Sequence, residues 1–415
     1  MLQKFKITTY ATLLLIGLFV LPYAGNVVST RSKLSLFLLF FALSLPFQIS
    51  AFAGEVNTMS QSIRIYVGTY SQEIYVYRMN LETGQLTSES QIEEVENPSF
   101  LSLDPQHRFL YAVNEIGNYQ GQESGSVSAF AIDSQSGRLT FLNRQPTHGT
   151  SPCHLSVDAT GQYVLVANYG TGSVAAYPTQ SDGRLGEASS VVQHQGSSVN
   201  PQRQISPHAH SIMISLDNRH AFVPDLGMDK VMIYQLDLAT GQLVANDQPS
   251  VAVEPGQGPR HFDFHPGQEY AYVINEIGST VTTFEYNPET GTLDPVQTIS
   301  TLPDDFDGSS SCADIHVSAD GKFVYGSNRG HDSIVIYAVD PGSGQLTYVG
   351  HESTRGQSPR NFGIDPTGTY LLAANHGSGN IFVFKIDSET GTLDYTGYSA
   401  EVPTPVCLKM VQVGD

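Results

Sequence analysis

The side chains of this 415-residue chain that could do chemistry cluster just after a proline or an asparagine. They are His154 in Pro152-Cys-His, His208 and His210 in Pro207-His-Ala-His, Arg260 and His261 in Pro259-Arg-His, Glu276 after Asn275, Arg329 after Asn328, and Arg360 in Pro359-Arg-Asn. Two guanidiniums at one place match a carboxylate or a phosphate, because each offers a planar fork of donors. For Glu276 the plainer use is a buried ion pair with Arg260 or Arg329 that packs neighbouring units. His154 and His261 have a plain alternative too, as histidines satisfied by backbone.

What must position these residues is a repeat. A turn of the form Thr/Ser/Asp-Gly-x-Leu occurs seven times, with its glycine at Gly84, Gly137, Gly183, Gly241, Gly291, Gly344 and Gly391. Each follows a run with strand alternation, and glycine supplies the positive φ of a tight hairpin. Out of phase with it run Pro98-Ser-Phe-Leu, Pro152-Cys-His-Leu, Pro259-Arg-His-Phe and Pro359-Arg-Asn-Phe, with related copies at Pro207 to Ser215 and Ala313 to Ala319. Four short strands per unit is the content of a propeller blade. The spacing predicts an all-β, seven-bladed β-propeller. Ile63 to Tyr70 reads as the second strand of a unit and Pro405 to Val411 as the first, so the two ends should complete one blade and leave no open edge.

Repeats let the chain act as its own control. The column Asn114, Asn168, Asp225, Asn275, Asn328, Asn375 is common to six blades and reads as a strand-end device. The next column, Glu115, Tyr169, Leu226, Glu276, Arg329, His376, is a mixture that no single structural need selects. At the start of the first strand stand Ser99, Cys153, His210, Arg260, Ala313 and Arg360, followed by Phe100, His154, Ser211, His261, Asp314 and Asn361. The first strand of a blade lines the channel, so all three columns meet at one mouth. His154, His210, Arg260, His261, Glu276, Asp314, Arg329, Arg360 and His376 are expected around it.

Composition narrows the partners. Lys+Arg 20 against Asp+Glu 40 gives a net charge of -20, which repels nucleic acid and anionic membrane surfaces. The expected partner is a small anionic molecule met by local arginines. The histidines His154, His208, His210, His261, His316 and His331 show no helical zinc spacing, and Asp304, Asp305 and Asp307 begin no EF-hand, so neither a metal nor a cofactor is expected. Cys153, Cys312 and Cys407 lie far apart and read as small buried hydrophobes.

Residues 1–58 read as a leader and 59–415 as the propeller. Arg31 and Lys33, the apolar run Leu34 to Leu45 and Ala51-Phe-Ala53 have the order of a secretory signal, which predicts an exported or periplasmic protein, or one anchored to the membrane if uncleaved. Translation from Met59 would instead give a cytoplasmic enzyme.

Ser151-Pro-Cys-His-Leu-Ser-Val-Asp, Pro207-His-Ala-His-Ser, Gly258-Pro-Arg-His-Phe, Val273-Ile-Asn-Glu, Ser327-Asn-Arg-Gly-His-Asp-Ser-Ile and Ser358-Pro-Arg-Asn-Phe resemble the seven-bladed lactonase family. That family includes propeller-type 6-phosphogluconolactonases and 3-carboxy-cis,cis-muconate lactonising enzyme. The resemblance covers nearly everything from Ile63 to Val413, and it implies a metal-free site with His210 (or His208), Arg260, Glu276 and Arg329 in catalytic roles. Lactone hydrolysis then uses Glu276 or His210 to take the proton of water, and Arg260 and Arg329 to stabilise the oxyanion and hold the anionic end of the substrate. Arg360 or Arg203 would help on a phosphate, with His154, His208 and His261 completing the binding surface. On this reading Arg329→Ala and Glu276→Gln remove activity and leave the fold intact. The alternatives are a muconate-type cycloisomerase, which closes the ring instead of opening it, and a non-catalytic exported interaction or sugar-binding propeller.

Overall fold

A computed structural model describes residues 62–413, so the leader, its Ala53 cleavage pattern and Met59 lie outside the described residues. Among the described residues, twenty-eight strands and no helices form seven four-stranded antiparallel sheets. The closing blade joins β28 (Pro405–Val413) to β1 (Ser62–Thr69), β2 (Ile74–Asn80) and β3 (Leu86–Ile92). The second holds β4 (Phe100–Leu103), β5 (Phe109–Asn114), β6 (Ser126–Ile132) and β7 (Leu139–Pro146); the third, β8 (Pro152–Val157), β9 (Tyr163–Asn168), β10 (Ser173–Pro178) and β11 (Ser190–Gln193). The fourth holds β12 (Met213–Ile214), β13 (His220–Asp225), β14 (Lys230–Asp237) and β15 (Gln242–Ala252); the fifth, β16 (Pro259–Phe264), β17 (Tyr270–Asn275), β18 (Thr280–Asn287) and β19 (Thr292–Ser300). The sixth holds β20 (Ser311–Val317), β21 (Phe323–Arg329), β22 (Ser333–Val339) and β23 (Leu346–Ser353), and the seventh β24 (Pro359–Ile364), β25 (Tyr370–Asn375), β26 (Asn380–Ile386) and β27 (Leu393–Glu401).

The seven hairpin glycines all have positive φ, from 66° at Gly344 to 85° at Gly183. Their carbonyls do a second job. Tyr66, Tyr111, Tyr272 and Tyr325 each donate their hydroxyl to the hairpin glycine of the following blade, Gly137, Gly183, Gly344 and Gly391, at 2.9–3.2 Å. With no tryptophan in the chain, this tyrosine column and the Phe clusters form the apolar layers between blades.

Chain ends close the ring as expected: β1 pairs antiparallel with β28 from Ser62↔Val413 to Thr69↔Pro405. The asparagine column is also structural. Asn114, Asn168, Asn328 and Asn375 are fully buried, and each donates Nδ2 to a backbone carbonyl in the connection that enters its blade (Glu96, Thr147, Thr301, Thr354) at 2.6–3.0 Å. The three cysteines are buried and free.

Two local features depart from a plain repeat. The inner strand of the fourth blade shrinks to Met213–Ile214, and only a bridge between Ala209 and Asp225 keeps the preceding Pro207-His-Ala-His segment in register. The inner strands β8, β16, β20 and β24 carry a register shift, between Pro152/His154, Pro259/His261, Cys312/Ile315 and Pro359/Asn361. A bulge bends the strand and re-aims the side chain at the extra residue. At three of these shifts the extra residue is Cys153, Arg260 or Arg360.

Candidate active site

Regular strands send successive side chains to opposite faces. The bulge at Arg260 breaks that alternation, so Arg260 and His261 both turn inward and touch, with Arg260 Nη1 donating to His261 Nε2 at 3.0 Å. Glu276 follows the end of β17, whose Asn275 pairs with Pro259, and this places its carboxylate beside Arg260. Arg260 Nε donates to Glu276 Oε2 at 2.9 Å, and Arg329 Nη2, at the end of β21, reaches the same oxygen at 3.0 Å. His210 Nε2 lies 3.9 Å from that oxygen. The four residues expected to carry the chemistry therefore converge from three blades on one carboxylate, and the ion pairs open to Glu276 from sequence form with both arginines at once.

Arg203 supplies a third guanidinium. It sits in residues 194–212, the longest connection between blades, where Gln204, fully buried, anchors the loop by donating Nε2 to Leu226 O at 2.9 Å. Arg203 Nη2 donates to Glu276 Oε1 at 2.6 Å and to Tyr169 Oη at 3.1 Å. Its side chain is 41% exposed, against 2% for Arg260 and 15% for Arg329.

The remaining expected residues divide. His208 stacks on Tyr169 with ring centroids 4.6 Å apart, and its Nδ1 meets Tyr169 O at 2.9 Å. His154 packs on Phe100, 4.1 Å between centroids, and its Nδ1 accepts the Ile212 N–H at 3.3 Å, the plain backbone-satisfied role. His261 differs: its Nδ1 faces Asp314 Oδ1 at 2.6 Å. Arg360 lies over the Tyr70 ring, 5.2 Å from its centroid, and His376 meets that ring edge-on at 5.4 Å.

Tyr70 was not among the expected site residues, although its hydroxyl donates to Glu115 Oε1 at 3.1 Å on the same rim. The signal was available. Thr69 pairs with Pro405 as Asn275 pairs with Pro259, so Tyr70 is the seventh member of the Glu115–His376 column, hidden because its blade is split between the chain ends.

Charge sets the protonation of the site. Burial raises the Glu276 carboxyl, but Arg329, Arg260 and Arg203 outweigh it and hold the group well below the usual carboxylate range. Burial, reinforced by Arg260, His261 and Arg360, pushes His210 well below the ordinary imidazole value, so it is neutral at neutral pH. In the free protein, then, Glu276 is held as a carboxylate by the surrounding guanidiniums and His210 is held neutral chiefly by burial. Burial, with Arg360 and Arg329 repelling, brings Arg260 down to about 10, so it stays charged. Among the described residues no group of three or more His, Cys, Asp or Glu is disposed to hold a metal ion.

The family model for the seven-bladed β-propeller lactonases matches residues 64–410. A 6-phosphogluconolactonase of Bacillus subtilis is 41% identical over 350 residues, 83% of this chain and 97% of that protein. Among solved structures, a putative 6-phosphogluconolactonase of Bacteroides fragilis has 38% identity and a TM-score of 0.79, covering 86% of this chain and 99% of its own. A periplasmic gluconolactonase of Pseudomonas aeruginosa has 37% identity and a TM-score of 0.79, covering 84% of this chain and 99% of its own. With the ring closed, the arginines gathered at one mouth and the match running almost from end to end of the described residues, the chain belongs to the seven-bladed β-propeller lactonase family.

Proposed function

We propose that the protein hydrolyses 6-phosphoglucono-δ-lactone to 6-phosphogluconate at the mouth where Arg203, Arg260 and Arg329 surround Glu276. The observation that carries this reading is the excess of guanidinium over carboxylate there, three arginines on the one Glu276 carboxylate. The activity named for the Bacillus and Bacteroides relatives supports the same substrate.

In this mechanism water adds to the lactone carbonyl, and the charge that develops on the carbonyl oxygen is met by Arg260 Nη2 and the Arg329 guanidinium. His210, neutral and lacking a strong acceptor for its ring, takes the proton of water and returns it to the ring oxygen as the C–O bond breaks. Glu276 holds the arginines in place. A substrate phosphate that draws Arg203 off Glu276 removes one cation from the site, which raises the basicity of His210 when the substrate is present. Arg203 is the best placed of the arginines for that phosphate, being the most exposed and the one carried on a loop.

The test is hydrolysis of freshly generated lactone above its spontaneous rate. Arg329→Ala should lower kcat/KM by about 10²–10³-fold; turnover equal to wild type would discard the site. Arg203→Ala should raise KM about tenfold for the phosphorylated lactone, the weight of one charge-assisted contact, and leave that for glucono-δ-lactone unchanged. An equal effect on both would favour the second reading, an unphosphorylated lactone, which the gluconolactonase from Pseudomonas supports.

Export is part of the proposal. It is supported by the basic, apolar, small-residue order of residues 31–53 and by the periplasmic location in the description of the Pseudomonas relative. Mass spectrometry of the protein from its native host should find Gly54 at the amino terminus; a chain starting at Met59 would overturn it.

A further inference from the structure

Behind Arg260 lies a carboxylate that the proposed chemistry does not use. Asp314, 2% exposed at the register shift of β20, accepts from His261 Nδ1 at 2.6 Å, His316 Nε2 at 3.1 Å, Phe362 N at 3.3 Å and Asn361 Nδ2. These donors come from the fifth, sixth and seventh blades. The carboxylate is ionised: burial opposes its charge, but His316 and His261 hold it well below the ordinary Asp value.

We propose that Asp314 and His261 are positioning residues that lock the plane of the Arg260 guanidinium for the reaction. An ionised carboxylate only accepts, so it places the proton of His261 on Nδ1 and the lone pair on Nε2. That lone pair faces Arg260 Nη1 at 3.0 Å. The other tautomer would set two N–H groups against each other there and leave Asp314 against a lone pair. A doubly protonated ring would repel Arg260 as well, and burial with the nearby Arg260 charge brings His261 down to about 4.

With the tautomer set, Arg260 is held on three sides: Nε on Glu276 Oε2, and Nη1 on His261 Nε2 and on Ala313 O. Ala313 adjoins Asp314, so one two-residue stretch of the sixth blade fixes the guanidinium both directly and through the imidazole. Both Nη2 hydrogens remain for the substrate. Orientation of this kind has large leverage, because a misplacement of about 1 Å can cost on the order of 100-fold in rate.

The proposal rests on the reading that Arg260 meets the reacting carbonyl, and its test separates the two. Long-range ¹H–¹⁵N spectra of the full chain at neutral pH should show His261 protonated at Nδ1 alone; a ring protonated at Nε2, alone or with Nδ1, overturns the proposal. The same spectra read the Arg260 guanidinium: its Nη protons should be resolved in wild type and in His261→Gln, which keeps an acceptor for Nη1, and averaged by rotation in His261→Leu. Equal Nη signals in all three overturn it, whether or not the protein turns over lactone. With activity, His261→Leu and Asp314→Asn should lose about 100-fold in kcat with KM changed less than about threefold, while His261→Gln recovers to within about tenfold. Wild-type kcat in His261→Leu would leave Arg260 in need of no such support and overturn the proposal. If Asp314→Asn does not fold, the His261 pair carries the comparison. A wild-type protein without lactonase turnover sinks the reading of the site and leaves the spectra to decide the lock.

Discussion

Glu276→Gln should lose lactonase turnover and, unlike the expectation from sequence, also lower the unfolding free energy by about 3–5 kcal/mol, the usual cost of stripping a buried charge of its partner. Glu276 is 6% exposed and is the shared counter-ion of Arg260, Arg329 and Arg203. An amide keeps one acceptor oxygen but turns two N–H donors toward cations that already crowd the site. Arg260, 2% exposed, then remains charged in a buried place with repulsion from Arg329 and Arg360. The half-exposed Arg203 finds water, so its share of the loss is small, which favours the lower end of the range. Urea unfolding of the variant beside wild type decides the matter. A change under about 0.5 kcal/mol, typical of an ordinary surface substitution, would mean that Glu276 is not the charge on which the mouth is built. Arg329→Ala is therefore the cleaner probe of chemistry, since it relieves the excess of cations.

Ending the chain before Pro405 should prevent folding altogether. Strand β28 is the inner strand of the closing blade and the sole partner of β1 along its inner edge, from Ser62↔Val413 to Thr69↔Pro405. It also buries Val406, Cys407, Leu408 and Val411, all under 10% exposed, between the second and seventh blades. At about 1.5–3 kcal/mol per buried side chain of this size, these residues supply on the order of 6–12 kcal/mol, comparable with the whole stability of a typical protein. Removing them also exposes β1 as a long apolar edge, a template for aggregation. The truncated chain should appear in the insoluble fraction. A soluble product with a cooperative thermal transition near that of the full chain would show that the ring does not depend on its closing strand.

The blade count, the closure and the scaffold columns were legible because each rests on short-range rules that repeat. Seven hairpins need a positive φ, and glycine meets it at each of Gly84, Gly137, Gly183, Gly241, Gly291, Gly344 and Gly391. In four blades a buried asparagine, Asn114, Asn168, Asn328 or Asn375, ties the second strand to the connection before it. Against that background the columns of mixed residue type, which hold Arg260, Glu276 and Arg329, stand out, and these three residues do meet.

Other parts of the site have no local signature. Arg203 lies in a connection that matches nothing elsewhere in the chain, so no column could place it on Glu276. The bulge that turns Arg260 and His261 to the same side is a register shift, and two chains of equal pattern differ by it only once the strands have paired. Tyr70 was lost to the split blade. The protonation states of Glu276 and His210 depend on how many guanidiniums arrive from other blades and on how much water is shut out. Periodic backbone needs are written residue by residue and can be read in order; charges that meet across a closed ring acquire their neighbours, and hence their chemistry, only when the last strand joins the first.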